Sequence, residues 1–211
     1  FESGTVQSTA ITFDSSNNKV VIAIRASSDV GKAYVGTVSG TSISFGSAVD
    51  FTSGSNDNRL AAAVFDTSVN KVVIAFVNSN TSISAISGTV SGTSISFDDI
   101  TTVKTGNNLD NITAAFDSNA NKVLIGYRDV NSSNHGTVNI FTPGSTTLTS
   151  ENYIGMSRGV VNVDSRTQAV GSAVVFESSN ATQSSIVYDS TNNKVVIAFR
   201  DNNNSNYATA I

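Results

Sequence analysis

Apolar residues in this chain come as short dense runs separated by small polar residues. Val20-Val21-Ile22-Ala23-Ile24 is one run, and Val72-Val73-Ile74-Ala75-Phe76 is another. Runs of this length, rich in Val, Ile and Phe and bounded by Asn, Asp, Ser and Gly, predict β-strands. They recur in a fixed order. An aromatic-Asp pair, a four-residue turn ending in Asn, a Lys and an apolar run appear four times: Phe13-Asp14 to Asn18-Lys19-Val20, Phe65-Asp66 to Asn70-Lys71-Val72, Phe116-Asp117 to Asn121-Lys122-Val123, and Tyr188-Asp189 to Asn193-Lys194-Val195. The aromatic positions lie 52, 51 and 72 residues apart. A second block, GTVSGTSISF at Gly36 to Phe45, returns unchanged at Gly88 to Phe97, and Gly46 to Phe51 returns with one change as Gly171 to Phe176.

One period holds four strand-like segments, which in the second copy are Leu60 to Phe65, Lys71 to Phe76, about Ser82 to Val90, and Thr93 to Val103. Asp and Asn at the ends of the first loop suit a tight hairpin, since both bond locally to backbone and tolerate left-handed conformations. Ser-Gly-Thr-Ser marks a second hairpin. Short hairpins make neighbours antiparallel, so each period reads as a four-stranded meander. The second strand is apolar on both faces, which calls for a layer on each side of it. Ile43 and Phe45, set against Ser42 and Ser44, alternate as an outer strand does. The expected fold is all-β: tandem four-stranded antiparallel meanders in a β-propeller-like arrangement of about four blades, with a repeat of about 51 residues. A stacked solenoid or sandwich array is the structural rival.

The units fall at approximately 5–55, 56–106, 107–160 and 161–211 of a single domain. The stretch around 137–170, which contains the sole proline, Pro143, reads as an irregular blade edge with an inserted strand pair. Phe1-Glu2-Ser3 matches Phe176-Glu177-Ser178, which ends a fourth strand, while the last unit stops inside its third. Two expectations follow: a ring in which residues 1–3 complete the last sheet, or one window of a longer array.

Composition narrows the function more than the fold. The 211 residues include 34 Ser, 23 Thr and 24 Asn, with charged residues at 13%. The net charge is −4, so a nucleic-acid backbone is not an expected partner. No apolar run approaches the ~18 residues that span a bilayer, so membrane insertion is not expected. With no cysteine, disulfides, thiolate metal sites and Cys nucleophiles drop out together. A chain starting at Phe1 without Met reads as a processed product or as a window of something longer.

No constellation reads as an enzyme active site. The single His135 has no second His or Cys with which to build a zinc site, and neither a metal nor a cofactor is expected. Glycosidase chemistry needs paired carboxylates facing a pocket. The recurring acids Asp14, Asp66, Asp117 and Asp189 each sit at a turn instead, where capping explains them. The loop after the second strand carries the more specific candidates: Arg25, Arg128-Asp129 and Arg200-Asp201, followed by Asn-rich segments. Side chains of this kind grip sugar hydroxyls or ligate Ca²⁺, and equally form local ion pairs. Five Asn-X-Ser/Thr sequons, at Asn80, Asn111, Asn131, Asn180 and Asn203, fall in expected loops and are glycosylation candidates.

The NKVVIA and GTVSGTSISF blocks, with the Arg-Asp and Asn-rich loops, resemble a repeat of large uncharacterised, tail-fibre-like structural proteins of marine and environmental bacteriophages. The likeness covers roughly 1–136 and 170–211, and Thr149 to Gly155 is similar to the stretch that ends such arrays. It implies a virion or extracellular structural role and transfers no catalytic residue. The expected function is therefore a non-enzymatic structural or adhesive protein outside a cell or on a virion surface, assembling with itself or with neighbouring repeats into a fibre or filament. The alternative is a lectin-like propeller that binds surface glycans through its Arg-Asp-Asn loops.

Overall fold

The computed structural model describes residues 1–27, 29–54, 60–79, 81–106, 110–150, 161–166 and 168–211. The first sheet contains β1 (Val6–Asp14), β2 (Lys19–Ala26), β3 (Gly31–Ser39), β4 (Ser42–Phe45) and β5 (Val49–Asp50). These pair in meander order, β4 and β5 lying one after the other along the same edge of β3. The second sheet repeats the plan with β6 (Leu60–Asp66), β7 (Lys71–Asn78), β8 (Ser82–Ser91), β9 (Ser94–Phe97) and β10 (Thr101–Thr105). The third uses β11 (Asp110–Asp117), β12 (Lys122–Asp129) and β13 (His135–Thr142). A separate two-stranded sheet, β14 (Ser145–Ser150) with β15 (Val161–Arg166), intervenes before its outer strands β16 (Ala169–Val170) and β17 (Val174–Glu177). The fourth sheet has three strands, β18 (Ala181–Asp189), β19 (Lys194–Asp201) and β20 (Tyr207–Ala210).

Every strand pairing is antiparallel, and the four sheets stand as the blades of a four-bladed β-propeller. The β14–β15 pair accounts for the long spacing between the third and fourth aromatic-Asp pairs. It also moves a boundary. The third sheet takes its outer strands from beyond residue 160 and runs to Glu177, so the third and fourth sheets divide at 177–181 instead of at 160–161. Of the segment Thr149 to Gly155, residues 151–155 lie outside the described residues.

The first hairpin of each blade is set by its two end residues. Asn18, Asn70, Asn121 and Asn193 hold φ of 54°, 55°, 55° and 52°, the left-handed region that Asn tolerates better than other non-glycine residues. Asp14 Oδ1 accepts from the Ser16 and Asn17 amides, and Asp117 Oδ1 from those of Asn119 and Ala120. Asp189 Oδ1 takes the Thr191 and Asn192 amides, and Asp66 Oδ1 takes the amide and hydroxyl of Ser68.

The first strands stand side by side, β1 against β6, β6 against β11, and β11 against β18. An apolar seam fills each gap. Val21, Ala23, Ala33 and Val35 of the first blade meet Val72, Ile74 and Phe76 of the second. Val73, Ala75 and Ala85 of the second meet Val123, Ile125 and Tyr127 of the third. Leu124 and Val138 of the third meet Ile197 and Phe199 of the fourth. The doubly apolar second strand is thus used on both faces in the middle blades. Among the described residues no apolar cluster joins the fourth blade to the first. The outward face of the first blade carries instead a small cluster of Ile24, Ala26 and Tyr34. There the ring of Phe1 meets those of Tyr34 and Phe45 at 5.1 and 5.0 Å.

Candidate functional site

Arg25, Arg128-Asp129 and Arg200-Asp201 lie in the last residues of β2, β12 and β19 rather than in the loops that follow, at one end of their blades, and their side chains are engaged in different ways. Arg25 closes on Asp29 four residues later, its Nη2 2.5 Å from Oδ1, and Asp29 holds φ of 59° to make the return. Arg128 reaches across the β11–β12 ladder to Asp110, its Cα partner, with Nε 2.8 Å from Oδ1 and Nη2 on Oδ2. Asp129 is buried. Its carboxylate accepts from the Asn131 amide and the Ser132 hydroxyl, holding the 3₁₀ turn Val130–Ser132, and meets Lys104 Nζ of the second blade at 2.9 Å. Asp201 caps its own turn, accepting from the Asn203 and Asn204 amides and from Ser179 Oγ.

Arg200 stands apart. Among the described residues it makes no ion pair, and it lines a concave site of about 320 Å³ with Gln183, Ser185, Ala198, Asn206 and Ala208. A bulge shapes one wall, because Gln183 takes φ of 52° where the β18–β19 register shifts. Asn111 forms the equivalent bulge in β11 with φ of 51°. The site is small and open to solvent and its lining is more apolar than polar, with one cation and three hydrogen-bonding side chains that could meet the hydroxyls of a ligand.

No comparison with family models, curated proteins or solved structures finds a match.

The other expected positions are dispersed. Asn131 and Asn203 are exposed on turns, as an acceptor of glycan must be. Asn111 lies in strand β11 rather than in a loop, with its amide donating to Asp110, and Asn180 is half-buried with an unpartnered Oδ1. Asn80 falls outside the described residues. His135 opens β13 opposite Asp129. Among the described residues no three His, Cys, Asp or Glu side chains cluster as metal ligands, and no helix is long and apolar enough to cross a membrane.

Two polar ties between the second and third blades were not visible in the repeat pattern. Lys104–Asp129 is one. The other runs from Gln168 Nε2 to Ser87 Oγ at 3.0 Å, on to Asp98 and back to Lys71 Nζ at 2.7 Å. Lys104 and Gln168 have no counterparts in the other units, so a search for recurring residues passes over both.

Proposed function

We propose that this chain is a non-enzymatic structural or adhesive repeat protein of an extracellular or virion surface, akin in role to tail-fibre-like proteins, and that it assembles into a fibre. The observation that carries this reading is how the repeated polar chemistry is used. Asp14, Asp66, Asp117 and Asp189 each spend a carboxylate oxygen on a turn, and Arg25 and Arg128 are held in ion pairs. What recurs in every unit is scaffold. Exposed Ile11, Phe13, Val38 and Val187 give the assembly reading its surface, since apolar patches on an isolated chain mark contact sites. Negative-stain electron microscopy across a concentration series tests it. Fibres or end-to-end chains are expected, and single particles at every concentration would overturn the reading.

The Arg200 site favours a second reading, binding of surface glycans. On a glycan array, Arg200→Ala is then expected to abolish a signal that Arg25→Ala and Arg128→Ala leave in place. No signal, or one indifferent to Arg200, removes this reading.

A further inference from the structure

The third blade departs from the first two where its third strand turns back. In those two blades the turn takes two residues, Gly40-Thr41 after Ser39 and Gly92-Thr93 after Ser91, with the glycines at φ of 58° and 62°. In the third blade the same ladder reaches Thr142 opposite Ala169, and the turn is replaced by the hairpin of β14 and β15. Its register is regular from Ser145 opposite Arg166 to Ser150 opposite Val161. The foot of the hairpin is held. Gln168, next to Ala169, donates from Nε2 to Ser87 Oγ of the second blade at 3.0 Å and accepts from the Thr101 hydroxyl through Oε1.

β14 and β15 pair with each other and, among the described residues, with no other strand. A two-stranded sheet alone is marginal in water, and further strands with an apolar face are what secure it. The face is present: the register sets Leu148 opposite Val163, and Val161 lies two residues along on the same side. The two edges differ. Asp164 and Arg166 lie on β15, and charges of this kind blunt an edge, whereas β14, Ser-Thr-Thr-Leu-Thr-Ser, has none. β14 also reads nearly alike in both directions about Leu148, flanked first by Thr147 and Thr149, then by Thr146 and Ser150. A strand that meets its own copy across a two-fold axis needs that symmetry, because every contact is made twice.

We propose that β14 pairs antiparallel with β14 of a second copy, on a two-fold axis through Leu148. Leu148 then stands opposite its own counterpart, Thr147 opposite Thr149, and Thr146 opposite Ser150. The order β15-β14-β14-β15 makes a four-stranded sheet in which Val163 and Leu148 of both copies form one apolar row. Thr–Thr and apolar pairs of this kind are favourable across strands. Two chains of net charge −4 meet through an uncharged strand, with Asp164 kept to the outer strands. An edge of this length runs about 20 Å. The contact is therefore small beside the roughly 1,600 Å² of a standard interface, and the pair forms at high concentration. The axis closes the contact at two copies, so this pairing goes beyond the fibre reading and does not depend on it.

The chain has no cysteine, so a single introduced one can bridge only two copies. Directly opposed residues of an antiparallel pair have Cα atoms about 4.5–5.5 Å apart, within disulfide reach. Under mild oxidation Leu148→Cys is expected to give the linked dimer well ahead of Ser165→Cys on the outer strand. Sedimentation of cysteine-free chains tests the register. Thr147→Lys with Thr149→Lys sets lysine opposite lysine twice and is expected to erase the dimer. Thr147→Lys with Thr149→Glu sets lysine opposite glutamate twice and is expected to restore it. Monomer at every concentration overturns the proposal, as do equal rates for the two cysteine variants, or a dimer that both charge variants erase or neither changes. Fibres seen by microscopy beside a failed charge swap sink this pairing alone. Single particles beside a working swap sink the fibre reading alone.

Discussion

Asp66 is fully buried, its Oδ1 holds the hairpin turn through Ser68, and its Oδ2 has no partner. Removing a charged acceptor from such a site costs about 1.5–3 kcal/mol, because the turn amide is left unmade as well. Asp66→Ala is expected to lower the urea midpoint by that equivalent, and Asp66→Asn by less, since the amide oxygen keeps the turn bond. At the exposed end of the array, Asp189 is held below the usual carboxylate range by the Asn192 side chain and then by the Asn192 and Thr191 amides. A lowered native value stabilises the fold above the unfolded value and loses that contribution as pH falls through the native one. Asp189→Ala is therefore expected to flatten the acid limb of the stability profile, with little change near neutrality in how the other turns respond. Tyr34 works in the opposite direction. Burial, then the hydrogen bond and charge of Glu2, push its hydroxyl up to about 12. Stability from Tyr34 is full below the ordinary phenol value and is lost as pH rises toward 12, a loss that Tyr34→Phe is expected to remove in alkaline unfolding. The turn roles of Asp and Asn were legible in the sequence because that chemistry is local. The separation of Arg200 from Arg25 and Arg128 was not, because it depends on where Asp29 and Asp110 fall in space.

Strands and hairpins were legible in turn, through period, composition and the Asn and Gly punctuation. The outer position of each blade was less so. It reads as one strand, Thr93 to Val103, but is built as two, Ser94–Phe97 and Thr101–Thr105, both paired with β8. In the first and third blades, Gly46 and Gly171 sit just beyond the first piece, and their amides still bond to Val35 and Ile140 before the chain steps across to the second. That second piece delivers a phenylalanine into a slot opened by glycine. A Cβ on Gly31 would lie 2.4 Å from the Phe51 ring, and one on Gly136 would lie 2.3 Å from that of Phe176. In the second blade both sides change together: Ile83 replaces the glycine, Val103 fills the partner position, and both are buried. Volume is conserved across the pair, not at either residue. Gly31→Ile alone is expected to cost about 1–3 kcal/mol through overpacking, and Phe51→Val alone to leave a void. Combined in one chain, they are expected to recover part of both losses. A double-mutant cycle on denaturant midpoints checks this, and strict additivity would mean that the slot is not shared.

Blades that pack on their neighbours distribute stability by position, so identical residues need not share a fate. Val21, Val73 and Val196 occupy one repeat position and read alike in the sequence, yet only the last is exposed. The place of the blade, not the residue, decides burial, which is why the repeat was legible and the exposure of each copy was not. Blade two is covered on both sides: Val72 to Phe76 are fully buried, and two polar ties bind it to the third blade. Blade four has one seam and an edge strand without a partner. Hydrogen exchange in the dilute chain is accordingly expected to be slowest in β7 and fastest, among second strands, in β19. Equal rates in β7 and β19 at every concentration would mean that the fourth blade already has a neighbour within its own chain.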